Sequence, residues 1–144
     1  MDKTSDDHIE SLTERIIGCG IEVHRTLGPG LLESVYRDCL IIEMRGEDLR
    51  VERERRVSLT YKGQRVAHDL KLDLIVEGCV ILELKATDRI HPIHLAQVIT
   101  YLKLTGCPAG LLMNFNTTTL RAGLKRLTHP DLYVKKELPL GFRR

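Results

Sequence analysis

From Ile9 to Leu27 the apolar residues Ile9, Leu12, Ile16, Cys19, Val23 and Leu27 recur every three or four positions, the spacing of one helix face. The spacing predicts an amphipathic helix. Asp6 and Asp7 suit its first turn, and Gly28-Pro29-Gly30 ends it. His24, beside the apolar stripe, reads as a core or helix-end histidine. A second helix is expected from about Leu31 to Arg45, with Leu32, Val35, Tyr36, Cys39, Leu40 and Met44 on its buried side. Glu33 falls in the first turn, where the helix dipole favours a carboxylate, and lies three residues from Tyr36, close enough for the two to meet. Arg50 to Tyr61 then alternate, which sets Val51, Arg53, Arg55, Val57, Leu59 and Tyr61 on one side of a strand. Lys62-Gly63 turns the chain, and Gln64 to His68 begin a return strand that leads into Asp73.

The stretch Lys71 to Lys85 (KLDLIVEGCVILELK) holds two apolar runs of strand length, rich in β-branched residues and broken by Glu77-Gly78. That is the pattern of a β-hairpin. Alternation places Glu83 and Lys85 on one face of the second run, opposite Leu82 and Leu84. On the first run Asp73 shares its face with Lys71 and Ile75, opposite Leu72, Leu74 and Val76. A hairpin register can bring Asp73 beside Glu83. After a polar link, Pro92 opens a third helix to Thr105, with Ile93, Ala96, Ile99 and Leu102 giving its period and Gly106 its stop. Ala109 to Phe115 is an apolar run of the kind that buried strands carry. From Thr117 on, Leu120, Leu124 and Leu127 lie among Arg121, Lys125 and Arg126, a pattern that fits either strand or helix. The end of the chain, from about residue 135, is basic and expected to be of low order. Helices and strands in this order predict an α/β fold, a central mixed β-sheet flanked by α-helices.

Composition narrows the functional classes. A chain of 144 residues, 42% hydrophobic and 29% charged, is expected to be a single globular domain over residues 1–144. Its net charge of +2 allows nucleic-acid binding through a local patch but not a broadly basic binder, and the absence of Trp disfavours long base-stacking platforms. The acidic, polar start MDKTSDDHIE argues against a secretory signal, and no run approaches the ~18 apolar residues of a membrane span. A cytoplasmic location is expected. Cys19, Cys39, Cys79 and Cys107 are far apart without a C-x-x-C pair, so reduced core thiols are expected rather than zinc or an iron–sulfur cluster.

Charge inside the apolar hairpin calls for compensation. Two carboxylates side by side, Asp73 and Glu83, repel, and burying them costs several kcal/mol unless a cation or a proton intervenes. Oxygen-only donors suit Mg²⁺ or Mn²⁺. The plainer reading is that Glu83 and Lys85 form a structural ion pair on a half-exposed face. Glu33 is a candidate third carboxylate, because Gly28-Pro29-Gly30 lets the helix start approach another element closely. The mixed Arg/Glu run at 50–56 reads as a solvated edge, with phosphate contact as the alternative. His91 and His94 invite a metal reading, but Pro92 lies between them and they fall across a helix start, which disfavours it.

Taken in order, Gly30-x-x-Glu33-x-x-Tyr36, Asp73, Glu83-Leu84-Lys85 and Gln97-x-x-x-Tyr101 resemble the GxxExxY family of the PD-(D/E)XK nuclease superfamily, over nearly the whole chain. The resemblance implies a restriction-endonuclease-like core and a metal-dependent phosphodiester hydrolase, a nuclease acting on DNA. It implies a catalytic set of Glu33, Asp73, Glu83, Lys85, Gln97 and Tyr101, with Asp73, Glu83 and Glu33 as ligands to Mg²⁺ or Mn²⁺. In one departure Leu72 precedes Asp73 where the superfamily's name motif has proline, which is not a ligand. Two rivals stand beside this reading: a nucleic-acid- or protein-binding module that keeps the fold without turnover, and a metal-dependent hydrolase of another substrate. The substrate strand type and the oligomeric state, a homodimer included, stay open.

Overall fold

A computed structural model describes residues 6–131; the basic end of the chain lies outside them. The expected first helix is α1, Asp6–Leu27, and the second is α2, Glu33–Gly46. Strand β1, Val51–Val57, is followed by a short separate ribbon of β2, Thr60–Tyr61, and β3, Gln64–Arg65. The expected strand from Arg50 to Tyr61 is therefore broken after Val57. The hairpin is β4, Leu70–Val76, and β5, Val80–Lys85; α3, Pro92–Thr105, leads to β6, Ala109–Asn114. The undecided tail pattern resolves into a 3-10 turn, Arg121–Gly123, and a strand β7, Leu124–Thr128. The five-stranded sheet has the order β1-β4-β5-β6-β7. Only β5 and β6 run parallel, joined by the crossover helix α3. This is the expected mixed sheet flanked by helices, consistent with a restriction-endonuclease-like core. Among the described residues no helix is long and apolar enough to cross a membrane.

Helices α1 and α2 cover one face of the sheet, where Ile16, Val23, Tyr36, Leu40 and Met44 pack on Leu74, Val76, Leu82, Leu84, Leu111 and Met113. Helix α3 covers the other with a smaller cluster of Val98, Tyr101 and Leu102 against Leu72, Ile75 and Ile81. Gly110 lets α3 sit close, since a Cβ there would stand 2.7 Å from Val98 Cγ1. Two expected faces are corrected. Leu32 is 73% exposed and Val35 is also exposed, because α2 buries the stripe Tyr36, Leu40, Ile41 and Met44 instead. Ile93 is 71% exposed and Ala96 is exposed too, because α3 is apolar nearly all round and only one of its stripes meets the sheet.

The strand pair β1–β4 departs most from simple alternation. Its register is uniform on both sides of Glu54 and Asp73, yet that one rung is unpaired and Glu54 has φ 50°. On one side of the rung Val51, Leu74 and Val76 belong to the α1/α2 core; on the other Val57, Leu70 and Leu72 pack against the α3 cluster. Both strands turn over there, so Val51 and Val57 do not share a face, nor do Leu72 and Leu74. The left-handed backbone at Glu54 breaks the two-residue period that alternation assumes.

The turn before β7 allows no side chain at Gly123, where a Cβ would meet the backbone oxygen of Asn114 at 2.2 Å. Gly123→Ala is expected to destabilise the fold by about 3 kcal/mol, an overpacking cost that backbone cannot relieve cheaply. A melting curve checks this, and an unchanged midpoint would show that the turn opens freely.

Candidate active site

The site forms where β4 and β5 part. Glu77, with φ 53°, and Gly78, with φ 65°, make the tight turn, and the Cys79 N–H donates to Val76 O at 3.0 Å. Cys79 is an extra residue beyond that turn, so Val76 pairs with Val80, and the same register brings Asp73 level with Glu83. The ladder's last pair before them is Leu74 with Leu82. Past it, side chains replace main-chain bonding: the Asp73 N–H donates to Glu83 Oε1 at 3.3 Å, and the Leu84 N–H donates to Asp73 Oδ2 at 3.1 Å. Each carboxylate satisfies an amide of the opposing strand.

Glu83 is only 6% exposed. Burial pushes its carboxyl up to about 8, and the charge of Asp73 pushes the same way, against the hydrogen bond from the Asp73 amide and the nearby charge of Lys85. Near neutral pH this favours a proton on Glu83 over a second negative charge beside Asp73. Lys85 is half-buried at the end of β5. Its carbonyl accepts the Phe115 N–H at 2.9 Å, and its register partner is Asn114. The buried Asn114 amide, which the sequence reading missed inside an apolar run, accepts from the Thr87 N–H at 3.1 Å and donates to Thr87 O at 3.0 Å. It fixes the path of the chain just beyond Lys85.

From the α3 side, Tyr101 and Gln97 share one face of the helix as the spacing predicts. Burial raises the Tyr101 phenol, as do the charges of Glu83 and Asp73, while a side-chain hydrogen bond with Gln97 acts oppositely. Tyr101 therefore looks onto both carboxylates. The His94 imidazole is held low by burial and by the charges of Lys85 and His91. His91 and His94 cap α3, the His91 N–H donating to His94 Nδ1 at 3.2 Å.

From the opposite side α2 brings Glu33. The preceding loop is held by Tyr36, fully buried and stacked on Phe115 at 4.6 Å between centroids. Its hydroxyl donates to Gly28 O at 2.5 Å and accepts the Leu31 N–H at 3.1 Å. Gly30, with φ 100°, supplies the left-handed residue which that loop needs. Tyr36 thus serves as a strut for the start of α2 and does not meet Glu33. Glu33 meets Arg37 instead, whose Nη2 donates to Glu33 Oε2 at 3.0 Å and to Asp73 Oδ1 at 3.3 Å. The sequence reading missed Arg37, although an acid and a base four apart on a helix are a known pairing. The geometry joins Glu33, Arg37, Asp73 and Glu83 into one network. Among the described residues, no group of three or more His, Cys, Asp or Glu side chains is placed to hold a metal ion. Glu33 reaches Asp73 through the Arg37 guanidinium.

Searches of curated proteins and of solved structures gave no match. A family model for the PD-(D/E)XK nuclease superfamily matches residues 10–127, which takes in the GxxExxY segment, both strands of the hairpin and the helix carrying Gln97 and Tyr101. With that match over most of its length and the mixed sheet that carries it, the chain belongs to the PD-(D/E)XK nuclease superfamily.

Proposed function

We propose that the chain is a nuclease of the GxxExxY type, a divalent-cation-dependent hydrolase of DNA phosphodiester bonds acting as a single cytoplasmic domain. Superfamily membership carries nuclease-type chemistry and divalent-metal dependence in general. The observation that carries the finer reading is the pairing of Asp73 and Glu83 across the parted strands, with Lys85 two residues on along the same strand. The donor set fits a hard cation: both groups are carboxylates, and Glu83 is driven toward neutrality by burial and by the charge of Asp73, which a cation would offset. Asp73 and Glu83 would hold Mg²⁺ or Mn²⁺, with Glu33 joining directly or through water. Such a cation, when bound, supplies Lewis-acid stabilisation of phosphate charge and a more acidic water.

The chain's own groups do the rest. Lys85 orients the attacking water or offsets charge on the phosphate, a positioning and electrostatic role. Gln97 and Tyr101 hold Lys85 or a phosphate oxygen by hydrogen bonds. The four cysteines, none in a disulfide among the described residues and three of them buried, suit a reducing compartment.

Supercoiled, linear and single-stranded DNA incubated with the protein in Mg²⁺, Mn²⁺ or EDTA tests the reading: cleavage should require the cation. Titration calorimetry should give binding heat with the wild type and none with Asp73→Asn or Glu83→Gln. Wild-type heat that persists unchanged in both variants would remove these residues from the cation site. Cation binding without cleavage of any substrate would favour a binding module that keeps the nuclease fold.

A further inference from the structure

Arg37 sits where a catalytic cation would be most useful. Its Nη2 alone contacts both Glu33 Oε2 and Asp73 Oδ1, and its side chain is 14% exposed. A surface pair such as Arg53–Asp38 is far more open, at 48% and 59%. Arg37 Nε is buried with no hydrogen-bond partner among the described residues. Buried guanidinium donors are normally filled, and an unfilled one is costly. The surroundings of Arg37 thus match its positive charge, between two carboxylates, better than its five donors.

Two further carboxylate oxygens of the network already accept backbone amides. Asp73 Oδ2 accepts the Leu84 N–H and Glu83 Oε1 accepts the Asp73 N–H, which leaves Asp73 Oδ1 and Glu33 Oε2 as the oxygens that Arg37 covers. A divalent cation drawing on either must share it with the guanidinium or displace it, and two positive centres at contact distance repel strongly at low dielectric.

We infer that Arg37 is an internal counter-cation that holds Glu33 and Asp73 together in the cation-free protein, competes with the divalent ion, and sets the concentration at which the site loads. This rests on the assignment of Asp73 and Glu83 as cation ligands. Arg37 is a positioning residue before the ion binds and withdraws on loading. Its aliphatic stem keeps its packing in either position.

The test uses Arg37→Met, which keeps length and removes charge, with Arg37→Lys as the milder change and Arg53→Met as a control at an exposed pair. Calorimetric titration with Mg²⁺ should show Arg37→Met binding on the order of tenfold more tightly than wild type, a coupling of ordinary size between adjacent sites. In EDTA the same variant should melt below wild type, because Glu33 and Asp73 lose their shared partner, and Mg²⁺ should restore more of its midpoint than of the wild type's. Arg37→Lys should fall between, and Arg53→Met should match wild type in both measurements. Equal or weaker Mg²⁺ binding by Arg37→Met, with wild type binding normally, would overturn the inference alone. Absence of Mg²⁺ binding in wild type and Arg37→Met alike would overturn the ligand assignment beneath it. A readout independent of the variants' folding is the Arg37 Nε–H resonance in the wild-type protein. It should shift on Mg²⁺ addition, and an unmoved resonance at saturation would show that the guanidinium stays in place.

Discussion

Lys85→Ala is expected to lower turnover by roughly two orders of magnitude or more, the scale of a lost electrostatic donor. Cation affinity should hold or rise slightly, because a positive neighbour has been removed. The backbone around Lys85 is fixed independently of its side chain, by Phe115 and by Asn114 through Thr87, so the substitution should leave the strand end in place. The ion pairs of the site are those of Arg37, and Lys85 acts on Glu83 through nearby charge. Were Lys85 only a structural partner of Glu83, its loss would cost ~1 kcal/mol or less of stability and spare activity in the folded fraction. A melting curve and a cleavage assay on one preparation separate the two, and wild-type turnover would leave Lys85 without a catalytic role.

In EDTA the protein should lose stability as pH rises from about 5 to about 8. Glu83 has its folded pKa pushed up to about 8 from an ordinary 4.5, so below 4.5 both folded and unfolded chains hold the proton and nothing is lost. Between the two values the unfolded chain releases a proton that the folded chain keeps, and folding becomes progressively less favourable. Above the folded value the loss is complete, on the order of a few kcal/mol at ~1.4 kcal/mol per pH unit. Melting midpoints in EDTA across this range should slope downward for wild type and lie nearly flat for Glu83→Gln, whose amide carries no charge to desolvate. With Mg²⁺ present the wild-type slope should shrink or reverse, since binding favours the ionised carboxylate. A wild-type profile in EDTA as flat as that of Glu83→Gln would mean that Glu83 is ionised in the fold at low cost.

How far the sequence could be read depended on whether each feature was local. The hairpin was legible because Glu77-Gly78 marks its turn and β-branched residues mark its strands, and alternation correctly put Glu83 and Lys85 together on the side facing α3. The register that levels Asp73 with Glu83 needs Cys79 as an extra loop residue, a detail that turn propensity leaves open. The exchange of faces at Glu54 carried no mark, because a glutamate with φ 50° looks in sequence like any strand glutamate. Helix α3 is apolar on several sides, so its period allowed more than one buried stripe, and contact with the sheet chose Val98, Tyr101 and Leu102. The helical pairing of Glu33 with Arg37 was within reach of the spacing. The second partner of Arg37, Asp73, lies far along the chain and comes near only through the tertiary fold.

The turning over of β1 and β4 at Glu54 and Asp73 means that the sheet is not a wall at that level but a window. Asp73 stands in its opening, reached by Arg37 from the α2 layer and overlooked by Tyr101 from the α3 layer. The two helical layers have separate apolar cores and share this opening. A change in either layer can therefore retune the same carboxylates without repacking the other. Variants selected from the α2 side and from the α3 side should combine with nearly independent effects on folding, and should interact only where both bear on Asp73 and Glu83.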